Sequence, residues 1–282
     1  MTTEPVRVEL GEYTLEAPTS YGPRILDLSW QGRPSLFARL DDSVALDGPD
    51  GPYRFRGGHR LWAAPEVADV TYVSDDIACQ VEVGEGVVSV SAPADGAGLQ
   101  KTVTIREDDG RLVVEHSLLN GGDTARRVAP WAITQLRTGG VAFCPLPPNP
   151  TQAPQADRSM VLWPYTDPTD PRLEWRPAAL LVRAGPGPQI KVGSGPAPGR
   201  LGYMADGQLF VKEIPPARDD ADYADRGAVA QVYCNDAFLE LESLGPLVDL
   251  EPGEETVHRE TWHVSTCEDP EEALARIVEE GT

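Results

Sequence analysis

Gln100–Leu119 reads QKTVTIREDDGRLVVEHSLL, and this stretch decides the fold class. In Lys101-Thr102-Val103-Thr104-Ile105 the branched apolar residues alternate with threonines, the period of a strand with one face buried and one wet. Glu107-Asp108-Asp109-Gly110 follows, and its closing Asp-Gly favours a tight hairpin turn. Leu112–Leu119 then returns as a second strand, so the segment predicts an antiparallel β-hairpin.

The same texture extends in both directions. Further strands are expected over Val6–Leu10, Tyr13–Ala17, Arg24–Trp30, Ala78–Val83 and Val87–Ala92 on one side. On the other they are expected over Arg127–Leu136, Leu180–Arg183, Leu209–Glu213, Val229–Cys234, Phe238–Ser243 and Val257–Ser265. Twenty-seven glycines and 27 prolines in 282 residues punctuate these runs, the composition of an all-β protein. One helix is predicted near the C-terminus: Asp269 can cap it, Pro270 suits its first position and Glu272 stands at capping-box spacing. Ala273, Leu274, Ile277 and Val278 form its apolar stripe before Gly281. Pro145–Gln155, PLPPNPTQAPQ, carries five prolines. Because strand-rich sequence continues on both sides, it is read as a long loop on one large sandwich, with residues 1–282 forming a single domain.

Charge narrows the partners. Twenty-four basic against 45 acidic side chains leave −21, which repels nucleic-acid phosphates and anionic membrane surfaces. The N-terminus MTTEPVRVEL lacks a basic segment followed by an apolar one, and no run approaches the roughly 18 apolar residues of a membrane span. A cytoplasmic location is therefore expected. Cys79, Cys144, Cys234 and Cys267 are widely spaced without CxxC pairs, which predicts four free thiols rather than a zinc or redox site.

Four segments gather ligand-gripping side chains. Tyr53–Glu66, YRFRGGHRLWAAPE, places Arg56 before a diglycine and His59, Arg60 and Trp62 after it; Gly57 and Gly58 permit positive φ or close backbone approach. In Trp131-Ala-Ile-Thr-Gln-Leu-Arg137, strand alternation puts Trp131, Ile133, Gln135 and Arg137 on one face and Thr134 and Leu136 on the other. Asp157–Arg172 contains two Asp-Pro steps and reads as an ordered loop whose Asp167 and Asp170 could hold a cation, although two carboxylates alone make a thin metal signal. In Gln231–Pro246, with Lys212 shortly before, Glu240 and Glu242 share a strand face. Neighbouring like charges raise each other's pKa, which suits one of them to proton transfer near neutrality. Among the four histidines none has metal-pair spacing, and His59 is the one in functional company. No GxSxG, P-loop or GxGxxG signature is present.

Together FRGGHRLWAAPE, WAITQLRTGG, RSMVLWPYTDPTDPRL, GQLFVK and VYCNDAFLELESLGPLVDLEPGEETVHRETW resemble a domain family of unknown function related to galactose mutarotase and the aldose 1-epimerases, over about Gly51 to His263. The resemblance implies a galactose-mutarotase-like supersandwich, a large antiparallel β-sandwich with a sugar groove on one sheet. In it Arg56-Gly57-Gly58 is similar to a groove-lining Arg-Gly-Gly. Leu250-Glu251-Pro252-Gly253-Glu254 is similar to a turn following the catalytic glutamate strand, which makes Glu242, with Glu240 as alternative, the base on an anomeric hydroxyl. The strand that supplies an acid histidine in the mutarotases has none here, leaving His59 as the substitute acid, whereas Arg137 could only stabilise charge. Substrate contacts are expected from Arg56, Arg60, Trp62, Trp131, Gln135, Arg137, Lys212, Tyr233 and Asn235. The arginines favour acidic or phosphorylated sugars, and no cofactor or metal is called for. A carbohydrate-binding protein that keeps the groove but lacks the chemistry is the alternative.

Overall fold

The computed structural model describes residues 4–146, 158–195 and 199–279. The opening hairpin forms as its sequence dictates: Leu99–Asp108 pairs antiparallel with Arg111–Asn120, and Val103 stands opposite His116. Asp109 at φ 48° and Gly110 at φ 75° make the turn, the two successive positive φ angles of the hairpin turn that matches strand twist.

This hairpin belongs to a ten-stranded sheet running, edge to edge, from Leu173–Trp175 to Gln80–Gly84, with Gln208–Glu213 and Glu255–Thr266 at its centre. Facing it is a second sheet whose strands lie in the order Ser159–Leu162, Ile190–Gly195, Ala230–Cys234, Leu239–Leu244, Arg126–Leu136, Gly58–Ala64 and Arg24–Ile25, with Val248–Leu250 paired beside Arg126–Leu136. The main core fills the space between the sheets. Val103, Leu112, Phe210 and Trp262 of the first pack with Leu61, Leu136, Val232 and Leu241 of the second. These are the architecture and the strand-dominated content expected of the galactose-mutarotase-like fold.

Several elements differ from the sequence reading. Arg24–Trp30 is two strands, because Arg24–Ile25 joins the second sheet while Asp27–Trp30 joins a small three-stranded sheet with Val6–Leu10 and Tyr13–Ala17. Gly58–Ala64, Val141–Pro145, Ile190–Gly195 and Arg200–Ala205 are strands too. Gly58–Ala64 is buried at every position, so it lacks the wet-dry alternation that advertises a strand.

The C-terminal helix spans Pro270–Glu279, and Asp269 Oδ1 accepts the Glu271 backbone N–H at 2.9 Å. Glu272 does not close a capping box; it pairs with Arg276 one turn on. All four cysteines are free, three of them buried and Cys79 partly so. Most of the proline-rich loop lies outside the described residues. Among those described, no helix is long and apolar enough to cross a membrane.

Candidate functional site

Each strand of the second sheet alternates between the sandwich interior and the opposite face. On Gly58–Ala64 this sends His59, Leu61 and Ala63 inward and Arg60, Trp62 and Ala64 outward; on Leu239–Leu244 it sends Leu239, Leu241 and Ser243 inward and Glu240 and Glu242 outward. Register then assembles the outward residues into rows: Ile133 lies between Arg60 and Glu242, Trp131 beside Trp62, and Glu240 between Gln135 and Tyr233.

Over this face lies a cavity of about 400 Å³, within the usual range for small-molecule sites. Its walls are largely aromatic: Phe55, Trp62, Tyr72, Trp131, Tyr165, Tyr233 and Phe238, with Glu66, Gln189, Lys191, Asn235 and Glu240 as polar members. Two structural devices hold the walls. Gly57 and Gly58 take φ of 84° and 73°, and side chains there would run into the Ala38 and Ile25 carbonyls, so the diglycine is what lets the chain enter the strand. Buried Arg24 pairs with Asp75 at 2.8 Å and donates to the Phe55 carbonyl and to Tyr53 Oη; Tyr53 Oη also accepts the Trp62 indole N–H at 2.7 Å, fixing that ring.

Behind the walls sit two buried charge pairs. Arg60 Nη2 donates to Glu240 Oε1 at 2.9 Å, and its guanidinium carbon stacks 4.1 Å from the Trp62 ring centroid. Lys191 Nζ stands 2.8 Å from Glu242 Oε2, which also accepts the Trp131 indole N–H at 2.7 Å. The Lys191 ammonium lies against two indoles, 4.5 Å from the Trp131 centroid and 4.7 Å from that of Trp163. Burial drives the Glu242 pKa up and the Glu240 charge adds to it. The Lys191 ammonium and the Trp131 hydrogen bond only partly oppose this, so the carboxyl is pushed up to about 7.

The pairing is incomplete. Glu242 Oε1, Gln231 Oε1, both amide atoms of Gln135, and Arg60 Nε and Nη1 are buried without a hydrogen-bond partner among the described residues. Buried polar groups are rarely left so.

On the other face of the same strands lies a second polar cluster. His59 Nδ1 is 2.9 Å from Thr134 Oγ1, and its Nε2 is 2.7 Å from His116 Nε2; His116 Nδ1 reaches the His258 carbonyl at 3.2 Å. Ser243 bridges His258 and Glu260, while Lys212 Nζ pairs with Glu260 at 3.0 Å and donates to the Ala132 and Leu241 carbonyls. Burial keeps all three histidines neutral, His59 well below its ordinary pKa, His258 down to about 4 and His116 down to about 3. Donor atoms of His59, His116 and Glu260 lie within 4.8 Å of one another. The two Nε2 atoms, however, are 2.7 Å apart, closer than the about 3.3 Å that two ligands at a Zn–N distance of about 2.0–2.1 Å would require. A hydrogen bond fits that separation.

The structure therefore brings together only part of the predicted set. Trp62, Trp131, Tyr233, Asn235 and Glu240 line the cavity, and Arg60, Gln135 and Glu242 share its face. Asn235 also shapes the wall, its Oδ1 accepting the Ala237 and Phe238 backbone N–H groups. His59 and Lys212, expected to meet substrate, are fully buried between the sheets instead. Arg56 turns away to Asp42, Asp76 and the Tyr21 ring, and Arg137 pairs with Asp206 at the edge of a different groove. Asp170 is held by Arg172, and Asp167 caps Thr169, so both carboxylates have protein partners. Sequence reasoning missed Lys191, the Trp163 ring against it and Tyr165 in the cavity wall. The alternation Ile190-Lys191-Val192 could have flagged the lysine, but glycines and prolines around it mask the strand.

No family model matches the chain, and no curated protein matches it by sequence. Solved structures do match in fold. An Escherichia coli K12 protein proposed to be an aldose 1-epimerase aligns over 93% of this chain and 99% of its own, with a TM-score of 0.56 at 13% identity. A protein of Synechocystis sp. PCC 6803 aligns over 95% and 98%, TM-score 0.57 at 12% identity. A galactose mutarotase related enzyme from Lactobacillus acidophilus aligns over 94% and 98%, TM-score 0.51 at 9% identity. The chain thus has the galactose-mutarotase-like fold.

Proposed function

We propose that the aromatic cavity binds a reducing monosaccharide and that the protein exchanges its anomers in the manner of an aldose 1-epimerase, with Glu242 as the base on the anomeric hydroxyl. The observation that carries this reading is the state of Glu242: a buried carboxyl pushed up to about 7, with one oxygen held by Lys191 and Trp131 and the other unpartnered. A base of that pKa is half ionised at neutral pH and suited to both taking and returning a proton. The rings supply stacking surface for the apolar face of a sugar, and Gln135, Gln231 and Arg60 supply hydrogen bonds to its hydroxyls.

The charge pairing favours a neutral sugar. Each arginine expected to grip an anion is already matched by carboxylates: Arg56 by Asp42 and Asp76, Arg60 by Glu240, Arg137 by Asp206. The second reading is a carbohydrate-binding protein without catalysis, favoured by the lack of any histidine among the described lining residues. NMR exchange spectroscopy on a panel of neutral, acidic and phosphorylated reducing sugars decides between them. Protein-dependent α to β exchange that E242Q abolishes, with binding kept within about tenfold, supports the base. Line broadening without exchange makes the protein a binder, and equal loss of binding in E242Q makes Glu242 a ligand-gripping group.

A further inference from the structure

We propose that Lys191 is the acid of this site, donating a proton to the sugar ring oxygen while Glu242 takes one from the anomeric hydroxyl. The inference rests on the anomer-exchange reading above and supplies the group that reading lacks. Opening a pyranose ring breaks the bond from the anomeric carbon to the ring oxygen, and the departing oxygen needs a proton. Both oxygens are bonded to that one carbon, so acid and base must stand side by side. Lys191 Nζ and the Glu242 carboxylate do, at 2.8 Å.

Elimination among the described lining residues points the same way. The side chains there that carry a proton to give near neutrality are Lys191 and three tyrosines. Burial raises the phenol pKa of Tyr72 and Tyr165 and pushes that of Tyr233 up to about 12, and Tyr72 Oη is engaged by Glu66. Lys191 is the one cation among the described lining residues. Its placement is built: Gly193, two residues on along the same strand, has no side chain, and a methyl there would stand 3.3 Å from the Trp163 ring and 2.6 Å from the Ala228 methyl. That gap lets Trp163 lie down on the sheet and hold the ammonium against Trp131.

The protons balance within the pair. In opening, Glu242 takes the anomeric O–H proton, the freed electron pair forms the C=O bond, the ring C–O bond breaks, and its electrons take a proton from Lys191. The pair is then a carboxylic acid beside a neutral amine. After rotation about the bond next to the aldehyde, closing on the other face returns one proton to each group. No external proton donor is consumed.

The test uses the full chain and its K191R, K191M and K191A variants, with exchange and binding read in one NMR experiment on the same sugar panel. Arginine keeps the charge and the ring contacts but does not release a proton below about pH 12. K191R should therefore bind within about tenfold of wild type yet exchange at least about 100-fold more slowly, the usual size of a lost general acid. K191A should regain exchange in proportion to added ethylammonium, an effect that a merely structural lysine would not produce. Exchange by K191R within about threefold of wild type overturns the acid role while leaving Glu242 as base, as does exchange by K191A that ethylammonium fails to raise. No exchange by wild type on any sugar overturns the anomer-exchange reading and the role of Lys191 with it.

Discussion

Replacing Glu242 with Gln should alter how stability depends on pH. Burial first, then the Glu240 charge, raises the folded carboxyl from an ordinary glutamate value of 4.5 to about 7. The folded protein therefore holds this proton through a range in which the unfolded chain has released it. A raised folded pKa gives stability that is fully present below about pH 4.5 and lost as pH rises through about 7. At about 1.36 kcal/mol per pH unit, the wild type should lose about 3 kcal/mol across that window relative to E242Q. Glutamine preserves the local contacts, since its carbonyl can still accept from Lys191 and Trp131, and its NH₂ group replaces an oxygen that has no partner. The interior histidines titrate identically in both proteins and drop out of the difference. Urea unfolding followed by circular dichroism from pH 5 to 9, in matched buffers, reads the effect. A wild-type minus E242Q difference that is flat within about 0.5 kcal/mol, against the 1.36 kcal/mol per unit expected, would refute the raised carboxyl.

The interior histidines should make the protein acid-labile. Their folded pKa values are depressed by burial, so the stability they contribute is present above the ordinary value of 6.5 and lost as pH falls toward about 4 for His258 and about 3 for His116. The urea midpoint of E242Q, which lacks the opposing glutamate, should fall steadily below pH 6, and a midpoint unchanged down to pH 4.5 would contradict the neutral interior. H59Q should cost about 1–3 kcal/mol through its orphaned neighbours while leaving sugar affinity and exchange at wild-type levels. At the diglycine, Gly58→Ala should lower the melting temperature far more than Gly139→Ala. Both sit at positive φ, but an added methyl at Gly58 stands 2.3 Å from the Ile25 carbonyl while at Gly139 nothing lies within 4 Å; equal losses would show that backbone strain alone decides.

Alternation makes the sheet faces legible in the sequence. It puts Trp131 with Ile133, Gln135 and Arg137, and Glu240 with Glu242; the structure keeps the first three together and the two glutamates together, while Arg137 lies past the strand end and pairs with Asp206. It also carries information at the diglycine segment that residue chemistry overrides. His59 and Arg60 are neighbours and so belong to opposite faces, yet both look like ligand-binding groups. Nothing local says that a histidine goes to the core, because the partners that satisfy it, Thr134 and His116, lie 75 and 57 residues away in sequence. Lys212 misleads in the same way, since its counter-ion Glu260 sits on another strand. Lys191 hides for the opposite reason: its short alternation Ile190-Lys191-Val192 is followed by glycine and flanked by proline, and the sheet pairings with Ser159–Leu162 and Ala230–Cys234 make the strand plain.

Two buried polar clusters thus back onto the same strands, and burial or charge alone cannot tell which is the site. Hydrogen-bond satisfaction separates the two. The interior cluster closes on itself, with Lys212 matched to Glu260, each histidine given a partner, and Trp262 donating to Glu260 at 2.8 Å. A network so completed rigidifies the sandwich and has nothing left to offer a ligand. The outward cluster stops short, with oxygen and nitrogen atoms of Glu242, Gln135, Gln231 and Arg60 buried without a partner among the described residues, on the face that an aromatic cavity covers. Leaving such groups unpaired costs about 1–3 kcal/mol each, a cost that ordered water or a bound ligand removes. Under the proposed anomer-exchange reading an uncharged polyhydroxylated ligand would complete it, and the carboxyl it would meet is the one with a pKa near neutrality.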